Sequence, residues 1–323
     1  MLSDQTIDIL KAFFIAIADH ELSIEKQRQY LSRLEEFEPY ATFIRLDRNN
    51  NGFITAYEVQ KFLQDNELDE VSLEECEYLI KFFDSDKDDV LNYTDYMQMV
   101  ITCDDTYLRA AVTQRDPYGV NPNEYLSPIL ERELAILFEK ELAYHKEIEI
   151  IKRDLQNAPD FSIEAAFEEI DQDDANIIDH ISVESFLRRN GFAPTEEELT
   201  AIIRRIDVSA DASASFAEFE EALQPVEIDT ADVNNNDYNN QYSKGGISYR
   251  GTHESAKLAN PSLVKLENLR TGYYDVTYSD NQKKQSAGSS HSSQHASQKM
   301  GNSKKKYDAS EMPISPSYYQ QKS

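Results

Sequence analysis

One twelve-residue run, Asp47-Arg48-Asn49-Asn50-Asn51-Gly52-Phe53-Ile54-Thr55-Ala56-Tyr57-Glu58, constrains this chain more than any other stretch. Asp47, Asn49 and Asn51 put side-chain oxygens at positions 1, 3 and 5 of the run. Phe53 offers a backbone carbonyl at position 7, and Thr55 a hydroxyl or a bridging water at position 9. Glu58 closes the run at position 12 with two carboxylate oxygens. That spacing wraps oxygen ligands around one hard cation of calcium's size. Gly52 at position 6 suits a sharp turn with φ > 0, where a Cβ is disfavoured. Ile54 at position 8 is apolar, and its backbone can pair with a second loop in a short ladder. A simple polar turn between two helices would not need six specified positions.

A second run begins 37 residues later, at Asp84, and ends at Asp95. A helix-loop-helix cannot bury its own apolar face, so a neighbouring copy is the physical expectation. Asp84, Asp86 and Asp88 stand at positions 1, 3 and 5, the Val90 carbonyl at 7, Asn92 at 9 and Asp95 at 12. Leu91 at position 8 should face Ile54. Asp89 replaces glycine at position 6, which is tolerable because Asp visits the left-handed region more readily than most residues. Asp95 is shorter than Glu and tends to give one oxygen, which lowers the coordination number towards the six that suits Mg²⁺ as well as Ca²⁺.

Two further runs, Asp171 to Ser182 and Asp207 to Glu218, start 36 residues apart. In the first of these, Ala175 cannot ligate at position 5 and Ser182 has no carboxylate at position 12, so it should keep the loop's shape and hold calcium poorly. In the second, Asp207, Ser209, Asp211, Ser213 through its carbonyl, Ser215 and Glu218 fill the ligand positions. Ala212 must there adopt φ > 0, at roughly 1–2 kcal/mol, so this is a weakened site.

Helical periodicity surrounds the loops. Residues 3 to about 36 carry Leu10, Phe13, Phe14, Ile17, Ile24, Tyr30, Leu31 and Leu34 at helical spacing, and this face is expected to cover the first pair. Ser72/Glu75 and Thr195/Glu198 have the spacing of capping boxes. Asp116-Pro117-Tyr118-Gly119 and Asn121-Pro122-Asn123 are turn signals between the pairs. Ser127 and Pro128 then start a long helix whose stripe, Leu130, Leu134, Leu137, Phe138, Leu142, Ile148, Ile151 and Leu155, is interrupted by Glu141 and His145. The mixed heptad positions favour packing within the chain over a dimeric coiled coil. From about Gln224 onward, Asn-rich and Ser/Gln/Lys-rich stretches are low in complexity, with an apolar island that includes Leu263, Leu266, Leu269, Tyr273, Tyr274 and Tyr278. Islands of that kind often order on a partner surface.

The expectation is an all-α chain. Residues 1–38 form an N-terminal helical extension and 39–103 the first pair of helix-loop-helix units. Residues 104–157 form a linker and a long inter-lobe helix, 158–224 a degenerate second pair, and 225–323 a partner-binding tail. The formal net charge is -28, from 60 Asp+Glu against 32 Lys+Arg. The tail from Gln241 holds 12 Lys/Arg and 6 Asp/Glu, and the preceding residues 20 against 54, so an acidic body of -34 carries a mildly basic tail of +6. Such acidity argues against nucleic acid as a partner and suits a chain that collects cations. Cys76 and Cys103, the two cysteines, fit a reducing compartment such as the cytoplasm, and Cys76 reads as a small core residue. The stretch Ile9 to Ala18 follows Asp4 and Asp8 where a signal peptide needs positive charge. Leu2 stands where myristoylation requires glycine. No apolar run approaches the length of a membrane span.

Four loops in pairs, over residues 39 to 224, resemble the calmodulin, centrin and troponin C superfamily of EF-hand proteins. The resemblance is strongest in the first loop, and Asp89, Asp95, Ala175, Ser182 and Ala212 depart from its pattern. The added helices and Tyr-bearing tail are similar in layout to EF-hand proteins of protist cilia and cortical cytoskeleton. That likeness implies a structural or regulatory component of a cytoskeletal, axonemal or microtubule assembly, with tubulin or other axonemal and cortical proteins as partners of the tail. A competing expectation is a soluble calcium sensor or buffer for amphipathic target helices. Against an opening sensor stand the 5 methionines, of which Met97 and Met99 fall in the second unit. No Gly-rich phosphate loop, His-Arg-Asp catalytic loop or metal-hydrolase motif occurs, so no enzyme is expected.

Overall fold

The computed structural model describes residues 2–122 and 124–227. The tail region discussed above, from residue 228, lies outside the described residues. The fold is all-α, with each loop flanked by two helices as the sequence predicts. In chain order the helices are α1 (Asp4–Arg33), α2 (Pro39–Leu46), α3 (Ala56–Asp65), α4 (Leu73–Phe83), α5 (Tyr93–Val100) and α6 (Thr106–Thr113). They continue with α7 (Pro128–Asn157), α8 (Ile163–Ile170), α9 (His180–Arg189), α10 (Glu196–Ile206) and α11 (Phe216–Leu223). Two short strands, β1 (Ile177–Ile178) and β2 (Ala214–Ser215), pair antiparallel.

Local chemistry sets the helix ends. Ser3 caps α1 by accepting from the Thr6 N–H, and Ser127 caps α7 with Pro128 at its first position. The expected boxes form at Ser72/Glu75 and Thr195/Glu198. α1 stops at Arg33, a few residues short of the predicted end. α6 is an element the sequence reading assigned to the linker. Asp105 caps it by accepting from the Leu108 N–H, no breaker occurs before Asp116-Pro117, and Val112 is buried beneath it.

α1 and α7 are both 30 residues long and run antiparallel. His20 meets Glu147, Ser23 meets Lys140 and Gln27 meets Glu133, so numbers fall along one helix as they rise along the other. These helices form a stem on which both helix-loop-helix pairs are mounted. α7 lies against α3 and α4 of the first pair, with the Phe138 and Phe62 rings 5.6 Å apart. α1 lies against α10 of the second pair, and Phe14 meets Phe186 of α9 edge-on at 5.8 Å.

The expectation that α1 covers the first pair therefore needs correction, because α1 packs chiefly on α7 and α10. The reason is electrostatic as well as apolar. Glu21 and Arg28 lie inside the buried stripe of α1, and their partners come from α7 and α10. Cys76 and Cys103 are both buried and free, and burial pushes both thiols up. Among the described residues no helix is long and apolar enough to cross a membrane.

Candidate metal centre

All four loops are built on one backbone template. The first-position Asp is the C-cap of the helix entering each loop: Asp47 on α2, Asp84 on α4, Asp171 on α8 and Asp207 on α10. Its carboxylate accepts backbone N–H bonds from across the loop. Asp47 takes those of Asn51 and Gly52 at 3.0 and 2.8 Å, and Asp84 those of Lys87 and Asp89 at 2.8 and 2.7 Å. Asp171 takes those of Ala175 and Asn176, and Asp207 those of Ala210, Asp211 and Ala212. To aim those N–H groups inward, position 6 turns left-handed at Gly52, Asp89, Asn176 and Ala212, with φ of 89°, 63°, 60° and 71°.

Position 4 does the same at Asn50, Lys87, Asp174 and Ala210, with φ of 55° to 60°. Gly52, Asp89 and Ala212 were expected to turn left-handed, whereas Asn176 and the four residues at position 4 were not. Glycine marks the turn at position 6 of the first loop, and no residue type marks it at position 4.

The loops pair as their apolar eighth residues predict. Ile54 and Leu91 exchange both backbone hydrogen bonds, at 2.8 and 2.9 Å. Ile178 registers against Ala214 in the second pair.

Closure at position 12 separates the loops. Glu58 is buried and folded inward, accepting from the Arg48 and Asn49 N–H groups on one oxygen and from the Thr55 N–H and hydroxyl on the other. Glu218 adopts the same pose on Ser209 and Ser215. The shorter Asp95 still spans its loop, accepting from the Ser85 N–H and hydroxyl and from the Asn92 N–H. Among the described residues, Ser182 reaches only Asp179, at the loop's own ninth position, and no hydrogen bond ties position 12 of the third loop to positions 2 and 3.

At position 5, Asn51, Asp88 and Asp211 are oriented by accepting the N–H of position 7, from Phe53, Val90 and Ser213. Asp84, Asp86 and Asp88 bring carboxylate oxygens within 4.8 Å of one another. Asn49 and Asn51 lie on the exposed rim of the first loop, above the buried Asp47 and Glu58.

The electrostatics of these carboxylates follow from burial and from one another. Burial pushes the Asp47 carboxyl above its usual range, and burial together with Asp47 does the same to Glu58. Asp88 is raised by burial and then by Asp86, Asp84 and Asp95, and Asp95 by burial and Asp86. Burial also acts on Glu218, but hydrogen bonds from Ser215 and Ser209 outweigh it and its carboxyl falls below the ordinary range. A donor set made wholly of oxygen, with crowded and partly buried carboxylates, is what a hard divalent cation stabilises. The first, second and fourth loops have it, and the third lacks the closing group.

Residues 40–101 and 160–224 each match the family model of the EF-hand domain pair. Both segments are EF-hand pairs. EF-hand domains bind calcium ions, and their loop template is the one described above. No curated protein matches the chain. A solved crystal structure of another protein's C-terminal domain is similar over 66% of this chain and 88% of its own, at 16% identity. Its TM-score is 0.18, and at that value the likeness carries no weight.

Beside the EF-hands lies a buried ionic cluster that the sequence reading did not find. Glu21 of α1 accepts from Arg28, Arg204 and Arg205, and Glu141 of α7 accepts from Arg28 and Arg205. The Glu21 and Glu141 side chains are fully shielded from solvent. Glu25 accepts from the Thr102 hydroxyl and the Cys103 and Asp104 N–H groups, holding the turn after α5. Glu21, Glu25 and Cys103 also stand close enough to share an ion, but the arginines already neutralise them. The signal lay in the stripes themselves: Glu21 and Arg28 sit among α1's apolar positions, and Glu141 breaks the α7 stripe.

Proposed function

We propose that this EF-hand protein is a calcium-stabilised structural body, with no catalysis of its own, that serves in a cytoplasmic cytoskeletal assembly. The observation that carries the reading is that each EF-hand pair already holds a helix of its own chain. α7 lies on α3 and α4, and α1 on α10 beside α9. An EF-hand sensor recruits an amphipathic helix into a groove between such helices. Here faces of these helices are occupied in cis, and buried ion pairs fasten the contacts, which supports the reading that no target groove is left open. Met97 and Met99, which would line an adaptable groove, are buried. Calcium in such a body restrains loops and stem and has no target site to uncover.

The axonemal or microtubule setting rests on the charge split, an acidic body and a tail with surplus lysine, and on the layout resemblance. Acidic polymer surfaces such as tubulin would repel the body and favour the tail.

Two measurements on the full chain separate this reading from a calcium sensor. Calcium should raise the melting temperature without raising the binding of a hydrophobic-surface dye. Co-sedimentation with microtubules should be equal in calcium and in chelator. Dye binding that climbs with calcium, together with calcium-gated capture of an amphipathic peptide, would replace the structural reading with the sensor.

A further inference from the structure

Four helices lead into the four loops, and two of them carry an arginine two residues before the first ligand position. Arg45 precedes Asp47 on α2, and Arg205 precedes Asp207 on α10. The corresponding residues of α4 and α8 are Phe82 and Glu169. Arg45 and Arg205 are both buried, and both reach a glutamate of the same helix. Arg45 Nε donates to Glu131 Oε1 at 2.7 Å, and Arg205 Nη2 to both oxygens of Glu141 at 3.0 Å. Glu131 stands in the first turn of α7, and Glu141 lies further along it. One helix therefore holds the entering helix of one loop from each EF-hand pair.

These contacts act close to the ligands. The arginine lies in the last turn of its helix, about 3 Å along the axis from the Asp that caps it. A buried guanidinium-carboxylate pair does not slide freely, because separating the partners leaves an uncompensated buried charge. The first loop has a second tie to the same point. Asp65 of α3 accepts from Arg45 and also from Arg48, the loop's second residue, whose backbone N–H donates to Glu58. A shift of Asp47 or Glu58 on cation binding is thus loaded onto Arg45 and Glu131, and a shift of Asp207 onto Arg205 and Glu141.

We propose that Arg45 and Arg205 are positioning residues that couple the first and fourth loops through α7, so that calcium affinity at the first loop depends on the fourth. This rests on both loops binding calcium. It adds a route between the pairs to the backbone ladders that join loops within each pair.

Gly52 supplies a local reporter. It is the sole glycine in the four loops, and its N–H donates to Asp47 at 2.8 Å. In the full chain labelled with ¹⁵N-glycine, its amide resonance follows calcium at the first loop. The titration is run on the parent chain, Glu218→Gln, Glu131→Gln and the double variant. Glu131 is not a ligand, and helicity by circular dichroism checks that each variant folds.

Loss of Glu218 should shift the first-loop midpoint about fivefold or more in the parent. The same change in the Glu131→Gln background should shift it less than about twofold, as a broken link requires in a double-mutant cycle. Arg45→Lys keeps the charge but loses the planar fork, and should reduce the coupling as Glu131→Gln does if that variant fails to fold. A Glu218→Gln shift that is absent in the parent, or that survives both link variants, overturns the coupling while leaving calcium binding intact. A Gly52 amide that never responds to calcium sinks the assignment of the first loop itself.

Discussion

At the scale of the residue, Asp47 and Glu58 are acids that the first loop holds away from water. Asp47 and Glu58 titrate above the ordinary carboxylate range because burial penalises their charged forms. The folded, cation-free chain thus keeps protons there that the unfolded chain gives up. By linkage, the contribution of these groups to stability falls as pH rises through that window. Calcium needs the ionised forms, so binding in mildly acidic solution should release protons. Calorimetry in buffers of different ionisation enthalpy measures that release. Glu58→Gln should reduce it and weaken the strongest binding event about tenfold or more, by removing one charge and the paired oxygens. An unchanged strongest event would refute the assignment of Glu58 as the closing ligand. Asp95 poses a different question. It already spans its loop from Ser85 to Asn92, but with a side chain one methylene shorter than Glu58. Asp95→Glu should raise the preference for Ca²⁺ over Mg²⁺ at the second loop. A competition titration with no change in relative affinity would show that chain length at position 12 does not set the selectivity.

At the scale of the element, α1 and α7 decide how the two pairs are mounted, and their fastening is the buried ionic cluster. The guanidinium groups of Arg205, Arg28 and Arg204 outweigh the burial of Glu21 and hold its carboxyl down at about 2. A depressed carboxylate stabilises the fold above its unfolded pKa and loses that contribution as pH falls towards the folded value. For Glu21 that means between its ordinary value of 4.5 and about 2, opposite in sign to Asp47 and Glu58. Glu141→Gln would leave Glu21 as the main carboxylate shared by Arg28, Arg204 and Arg205, an excess of buried positive charge, and such breakage costs about 3–5 kcal/mol. Urea unfolding should register that loss, and a loss below about 1 kcal/mol would mean the cluster is not what fastens the stem. The loops and helix starts were legible in sequence because ligand spacing, caps and Pro128 act within a few residues. The pairing of Ile54 with Leu91 was legible too, since the loop template fixes position 8. The placement of α1 was not. Its apolar stripe fits several grooves, and only the union of Glu21 and Arg28 with Glu141, Arg204 and Arg205, from distant parts of the chain, selects one. α6 escaped notice because a two-turn helix with one buried residue has almost no periodicity to read.

At the scale of the whole molecule, the question is how an acidic body and a basic tail divide the work. The last described residues after α11 are fastened to the body. Lys152 donates to the Gln224 carbonyl, the Val226 N–H donates to Glu149, and Lys81 donates to the Glu227 carbonyl. A chain ending at Glu227 keeps all three contacts, whereas one ending at Gln224 loses two, so the later end point tests the tail without loosening the stem. The body carries 34 surplus negative charges and the tail from Gln241 6 surplus positive ones. That tail charge is spread over many residues, and physiological salt screens exposed charges beyond about 8 Å, so electrostatics alone would bind weakly. On the proposed reading, in which the tail is the anchor, the tyrosines and leucines of the 263–278 island would supply most of the affinity. The chain ending at Glu227 should therefore keep its helical circular dichroism and its calcium titration but no longer co-sediment with microtubules. Replacing Tyr273, Tyr274 and Tyr278 by Ala in the full chain should weaken sedimentation while leaving the net charge of the tail as it was. A truncated body that sediments as well as the full chain would move the anchor from the tail to the EF-hand body.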